Sequence, residues 1–321
     1  MKKFTTPLNE PLIGESAEFL KMLRASRLIA ATDVTTLICG DSGTGKELLA
    51  KEIHRHSPRN NHAYICLNCA ALPDSLLEAE LFGYQKGAFT GATEHNPGYI
   101  KLAHQGTLFL DEIGELSLNA QAKLLRFLES GECQSLGKSG IEKVDVRIVA
   151  ATNQDLAQRV KAGHFRQDLF YRLNVIPICI PPLHERGKDI SLLLSKLTAK
   201  LAVQHRLDAP RYSIAAIEAL QKYDWPGNVR ELRNLCERML ILFSGKTIQP
   251  ENLPVEIRHT TPPSSHPDFA LPDQGIELEA LESSMIQQAL TKTQGNQSKA
   301  ARLLGLTRGT LIYRMKKFAL E

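Results

Sequence analysis

The sequence predicts an α/β fold: a three-layer core on a parallel sheet, then a smaller all-helical domain, then a compact basic all-α segment at the carboxyl end. Three observations predict it. Short apolar runs bounded by Gly or Asp alternate with helical patterns through the first half of the chain. Pro181-Pro182 ends that alternation and only helical periodicity follows. The last segment combines helical periodicity with a one-sided charge.

Taken in order, the apolar runs Thr36 to Cys39, Ala63 to Leu67, Thr107 to Leu110, Arg147 to Ala151 and Val175 to Ile180 read as buried parallel strands. Helical patterns over Lys46 to His56, Ser75 to Leu81 and Asn119 to Ser130 separate them, which assigns residues 1–183 to the α/β core. Asp189 to Gln204, Ser213 to Lys222 and Val229 to Phe243 repeat helical periodicity without strands, giving a helical lid over 184–251. Residues 252–275, centred on Thr261-Pro262-Pro263-Ser264-Ser265, have no apolar period and are expected to form a flexible linker. Residues 276–321 open on a helix whose Leu278, Leu281, Met285, Ile286 and Leu290 suit pairing with a second copy, and two shorter helices follow.

With 321 residues, 43% apolar and 23% charged, the chain has ordinary globular composition and enough apolar mass for a sizeable core. No run reaches the roughly eighteen apolar residues of a membrane span, and the amino end lacks an export signal, so a cytoplasmic protein without membrane insertion is expected. Six scattered cysteines suggest reduced thiols, and Cys66 with Cys69 lacks a second ligand pair for zinc. Between Ser283 and Leu320 lie seven basic residues and no acid, so the +4 chain is otherwise net negative. A basic end on an acidic body points to a polyanionic partner.

Gly40-Asp41-Ser42-Gly43-Thr44-Gly45-Lys46 follows a strand and opens a helix, where glycine amides and the helix N-terminus can surround phosphate oxygens and Lys46 can reach the β- and γ-phosphates. Glu47 stands where such loops usually carry a magnesium-binding hydroxyl. Gly106 to Glu112 brings two carboxylates to a strand's carboxyl end: Asp111 can hold Mg²⁺ through water, and Glu112 can polarise an attacking water. Together the two motifs predict nucleotide hydrolysis. Thr152 and Asn153 end another core strand, placed to sense the γ-phosphate. Arg166 and Arg172 lie six residues apart, about 240° around an ideal helix, so they cannot serve one site from one face. An arginine supplied to a neighbouring subunit would make hydrolysis depend on assembly.

Gly87-Ala88-Phe89-Thr90-Gly91-Ala92 reads as a contact finger, with flanking glycines that bend the backbone and Phe89 and Thr90 presented between them. From these residues, with Gly40 to Glu47, Glu78 to Gly83, Gly106 to Glu115, Phe165 to Val175 and Trp225 to Leu232, the chain resembles the bacterial enhancer-binding proteins, the AAA+ activators of sigma-54 RNA polymerase. The resemblance spans Leu12 to Lys317, and that family also carries glutamate after the P-loop lysine.

The resemblance implies Glu112 as catalytic carboxylate with Asn68 as its switch partner, and Thr152 and Asn153 as first sensor. It implies Arg166 and Arg172 as inter-subunit fingers, Arg230 as second sensor, and Leu12, Ile13 and Gly14 against the base. It makes residues 87–92 the loop that engages sigma-54 and drives closed promoter complex to open complex. His184 departs from the family's arginine, with a local ion pair expected to be missing.

Gln297 to Arg314 reads as helix, glycine turn and capped second helix, packed through Ala301, Leu306 and Leu311. Lys299, Arg308, Thr310, Tyr313 and Arg314 are the residue types that reach bases or phosphates, and the segment resembles the family's Fis-type helix-turn-helix. The expected protein is a hexameric ATPase built from dimers, bound to double-stranded enhancer DNA and acting on sigma-54 holoenzyme. Because the ATPase begins almost at once, control by a trans-acting regulatory protein, or through expression level, is also expected. The competing readings are an ATP-responsive DNA-binding regulator working with ordinary sigma factors, and a general AAA+ unfoldase or loader.

Overall fold

In the computed structural model, residues 11–89, 92–138, 140–258, 277–293 and 295–318 are described. The chain divides into two compact bodies, residues 1–260 and 261–321.

The first body starts with helix α1 (Ala17–Ala30), strand β1 (Thr36–Cys39), α2 (Lys46–Arg55), β2 (Tyr64–Asn68), α3 (Asp74–Phe82), α4 (Tyr99–Leu102), β3 (Thr107–Asp111) and α5 (Leu118–Ser130). A short antiparallel pair, β4 (Glu132–Cys133) and β5 (Glu142–Lys143), precedes β6 (Arg147–Thr152), α6 (Leu156–Lys161), α7 (Gln167–Leu173) and β7 (Ile176–Cys179). The five long strands form one parallel sheet in the order β2-β3-β6-β1-β7. Its three inner strands are buried, whereas β2 and β7 are edges with exposed residues, so the expectation of burial holds only inside the sheet. Leu49, Ile53, Phe19 and Met22 pack one apolar layer; Leu81, Phe82, Leu124, Phe127 and Leu169 pack another.

Register decides where chemistry can occur. Cys39 pairs with Thr152 and Asn68 with Asp111, so these parallel strands end together, and β6 runs between β3 and β1. The turns after β1 and β3 therefore flank the end of β6, the crevice where open α/β sheets bind ligands.

The lid comprises α8 (Gly187–His205), α9 (Ile214–Lys222), α10 (Asn228–Leu242) and α11 (Val255–Arg258), around Leu193, Leu220, Trp225, Leu232 and Met239. Two features depart from the sequence reading. A two-residue parallel pair, β8 (Arg211–Tyr212) with β9 (Thr247–Ile248), stitches the helices together. Leu253 and Ile257 are buried in the lid core, so residues 252–258 belong to the lid because their apolar side chains have a surface to cover. The remainder of the expected linker, 259–275, lies outside the described residues.

The second body holds α12 (Leu278–Lys292), α13 (Gln297–Leu303) and α14 (Arg308–Lys317) around Ile286, Ala289, Ala300, Ala301, Leu311 and Met315. Asn296 and Thr307 cap α13 and α14 through side-chain oxygens that accept the amides of Lys299 and Thr310. Gly305, at φ +64°, makes the turn between them.

Candidate nucleotide site, contact loop and DNA hairpin

Strand β1 delivers the phosphate loop from the centre of the sheet. Gly43 and Gly45 hold φ of +80° and +104°, a run that side chains would strain and that turns successive amides inward before α2 begins at Lys46. Lys46 is buried. Its Nζ donates to the carbonyls of Gly40 at 3.0 Å and Asp41 at 3.3 Å and lies 3.7 Å from Glu112 Oε1. Thr44 donates its hydroxyl to Asp41 O, and Ser42 Oγ accepts from Arg230 Nη1 at 2.8 Å. Glu47 instead pairs with Lys51 one turn along α2, at 2.7 Å.

Across the end of β6, Asp111 Oδ1 accepts the Glu112 amide at 3.1 Å, and Glu112 itself is left-handed at φ +52°. Such strain in a non-glycine residue is typical of functional sites. Glu112 Oε2 accepts the Asn153 amide at 3.3 Å, so the turn brings together Lys46, Glu112 and Asn153. Thr152, buried at the strand end, uses its hydroxyl to accept the Gln154 amide. Asn68 is registered beside Asp111, and its Oδ1 accepts the Ala70 amide at 2.8 Å.

Burial first, then the Glu112 charge, raises the Asp111 carboxyl above its ordinary value against the opposing pull of Lys46. Two adjacent carboxylates short of positive charge fit a divalent cation. Among the described residues no group of three or more His, Cys, Asp or Glu could hold a metal, so a cation here would complete its shell with water and phosphate oxygens, the habit of Mg²⁺.

Ile13 and Gly14 lie in a strap before α1 that is tied to the lid. Asp189 accepts the amides of Glu15 at 2.7 Å and Ser16 at 2.8 Å and the Ser16 hydroxyl, while Arg186 donates to Ile13 O at 2.8 Å and to Asp189 at 2.9 Å. The Arg186 guanidinium also sits 3.9 Å from the centre of the Phe19 ring, and a Cβ on Gly14 would strike that ring at 2.4 Å. This fully buried ion pair escaped the sequence reading, which had only its spacing, three residues apart, to go on. His184 lies 3.9 Å from Glu185 in an exposed contact.

Arg166 precedes α7 in extended backbone, so the 240° argument, which needs both arginines on one helix, does not apply. Its guanidinium forks onto Asp168 at 3.0 and 2.7 Å, and Arg172 donates to Leu128 O at 2.9 Å. Both arginines are exposed.

In the contact loop, the Gly87 amide donates to Ala92 O at 2.8 Å and the Ala92 amide to Phe89 O at 3.0 Å. Phe89 is 36% exposed and rests edge-on against Tyr84, ring centres 5.0 Å apart. Thr90 and Gly91 lie outside the described residues. The base of the loop is braced by residues sequence reasoning missed: Leu136 donates to Gly83 O and accepts from the Gln85 amide, and Ala88 abuts Gly137. Gly131 and Gly137, both at positive φ, were the available signal for that hairpin.

In the second body Lys299, Arg308 and Tyr313 are exposed, Tyr313 at 71%. Thr310 shares a 2.7 Å hydroxyl contact with Thr307, and Arg314 is ion-paired to Glu282 on α12.

A parallel sheet with a phosphate loop, an acidic strand end and a helical lid defines a P-loop ATPase of the AAA+ class, here carried on one chain with a helix-turn-helix. Residues 12–179 match the sigma-54 interaction domain, 184–268 the AAA+ ATPase lid domain, and 277–318 the bacterial regulatory proteins of the Fis family. The chain belongs to the sigma-54-dependent transcriptional activators. It is 45% identical to the transcriptional regulatory protein ZraR of Escherichia coli K12 over 95% of its length and 68% of that protein's. It is 45% identical to the Nif-specific regulatory protein of Klebsiella pneumoniae over 96% of its length and 58% of that protein's. Its fold matches NtrX from Brucella abortus crystallised with ADP, at TM-score 0.72 and 32% identity, covering 96% of this chain and 68% of that one. Among the described residues no helix is long and apolar enough to cross a membrane.

Proposed function

We propose that the chain assembles into a ring, binds upstream DNA through α13 and α14, and uses ATP hydrolysis with Mg²⁺ to open promoter complexes of sigma-54 RNA polymerase. The observation that carries this is the joint placement of Lys46, Glu112 and Asn153 at the end of β6, on the same body as a half-exposed Phe89 turn.

Lys46 exchanges two loop carbonyls for phosphate oxygens. Asp111 would hold a hydrated cation, whose charge would offset that of the phosphates. Glu112, released from Lys46, orients and deprotonates the attacking water, and the Asn153 amide keeps its carboxylate aimed. Asn68, registered beside Asp111, turns from Ala70 to Glu112 as its switch partner. Arg230 on the lid, and Arg166 or Arg172 from the neighbouring protomer, meet the polyphosphate, which makes turnover depend on assembly. Arg166 must leave Asp168, an exposed pair that costs little to break. Lys299, Arg308 and Tyr313 meet DNA directly, and pairing through the exposed Leu278 and Met285 of α12 sets two hairpins on dyad-related half-sites.

The test is open-complex formation with purified sigma-54 holoenzyme. Wild type melts the promoter when ATP is supplied. Thr90→Ala hydrolyses ATP without melting, and Glu112→Gln does neither. Promoter melting by Glu112→Gln with hydrolysis abolished sinks the coupling. Activation of an ordinary sigma factor instead supports the competing reading, an ATP-responsive DNA-binding regulator.

A further inference from the structure

The phosphate loop is held from outside by the turn that opens α10. Asn228 is 1% exposed; its Nδ2 donates to Ser42 O at 3.1 Å and its Oδ1 accepts the Leu183 amide at 2.7 Å, just past Pro181-Pro182. The next amide, Val229, donates to Gly43 O at 3.0 Å. The two backbones touch: a Cβ on Gly43 would lie 2.3 Å from Gly227 O. The turn is strained to achieve this, with Trp225 at φ +51° and Asn228 at φ +49°. Trp225 is anchored by its indole N–H on Leu220 O, and the Gly227 amide by Glu231, at 2.8 Å each. Backbone strain of this kind, over-determined by its surroundings, marks a position where conformation matters more than stability.

A trans peptide points its C=O and N–H in opposite directions. Fixing Ser42 O toward the lid therefore turns the Gly43 N–H the other way, and fixing Gly43 O does the same for Thr44 N–H. We propose that Asn228 is a positioning residue for phosphate binding: through the Ser42–Gly43 peptide plane it preorganises the loop amides, and through Leu183 it ties that setting to the lid hinge. This rests on the nucleotide-site reading and extends it to a residue that touches neither phosphate nor water.

The experiment compares full-length wild type with Asn228→Gly, which keeps the left-handed backbone but removes both bonds, and Asn228→Asp, which keeps the acceptor for Leu183 but loses the donor to Ser42. ATP and ADP binding are measured by calorimetry, with kcat, KM and apo Tm. Both variants are expected to bind ATP and ADP about tenfold more weakly, with KM rising in parallel, kcat at saturation within about twofold of wild type, and apo Tm within a few degrees. Wild-type affinity in either variant overturns the proposal. So does a loss of kcat at unchanged KM, or an affinity loss matched by a collapse in Tm, which would make the turn merely structural. Wild-type turnover tests the underlying ATPase reading separately, because the variants are judged on binding.

Discussion

The phosphate loop and the contact loop are both glycine-rich turns, yet they are built in opposite ways. The first is enclosed: its carbonyls are taken by Lys46, Asn228 and Val229, and Gly43 is pressed against the lid turn at Gly227. The second is braced at its base, where Leu136 bonds Gly83 and Gln85 and Phe89 rests on Tyr84, while a Cβ on Gly87 would meet nothing within 4 Å. Enclosure keeps amides aimed at a small anion, whereas openness leaves an aromatic tip available to a partner.

The comparison breaks most sharply at Glu112. Glu112→Gln should lower kcat at least about a hundredfold while ATP still binds, measured by turnover and calorimetry, because water activation is lost and the loop is not. Next comes the strap beside the enclosed site. Asp189→Ala leaves Arg186 buried without its carboxylate and should cost about 3–5 kcal/mol, a drop in melting temperature on the order of 10 °C. A smaller loss there would mean that the strap opens to water.

A third outcome concerns pH. His54 on α2 is buried, its Nδ1 on the Thr107 hydroxyl at 2.9 Å and its Nε2 without a hydrogen-bond partner among the described residues. Burial, with the charges of Arg147 and His62, pushes its pKa down to about 4. The folded state then binds fewer protons than the unfolded state between about pH 6.5 and 4, so stability should be complete above that window and fall as pH drops through it. Thermal melting at pH 7 and pH 5 checks this, and His54→Gln should flatten the difference. The smallest effect is expected at the open loop. Phe89→Ala removes an edge-on contact worth about 1 kcal/mol, so ATPase rate should stay within twofold and Tm within a few degrees, even as promoter melting is lost. A large fall in either would place Phe89 with the core.

Much of this was legible beforehand for a local reason. A buried strand feeding Gly43, Gly45 and Lys46 leaves the backbone few alternatives, and the acidic end of β3 is marked by the apolar run before it. Asn68 was recognisable as a residue type, but the side of the strand end its amide turns to depends on Ala70. Arg166 and Arg172 were visible as charges, but α7 starts one residue after Arg166, which no periodicity revealed. The hairpin that braces the contact loop has strands of two residues each, too short for an alternating pattern.

By itself, then, the sequence determined the parallel sheet, the phosphate loop and its acidic complement, the lid and the basic hairpin, because each is written in residues close along the chain. Only the tertiary structure decided that the lid grips the phosphate loop through Asn228, that Arg186 and Asp189 strap the incoming chain to the lid, and that Phe89 rests on Tyr84. Most of those contacts join residues far apart in the chain, and even the nearby ones depend on orientation. Burial and hydrogen-bond geometry, which no spacing records, select them from many possible partners.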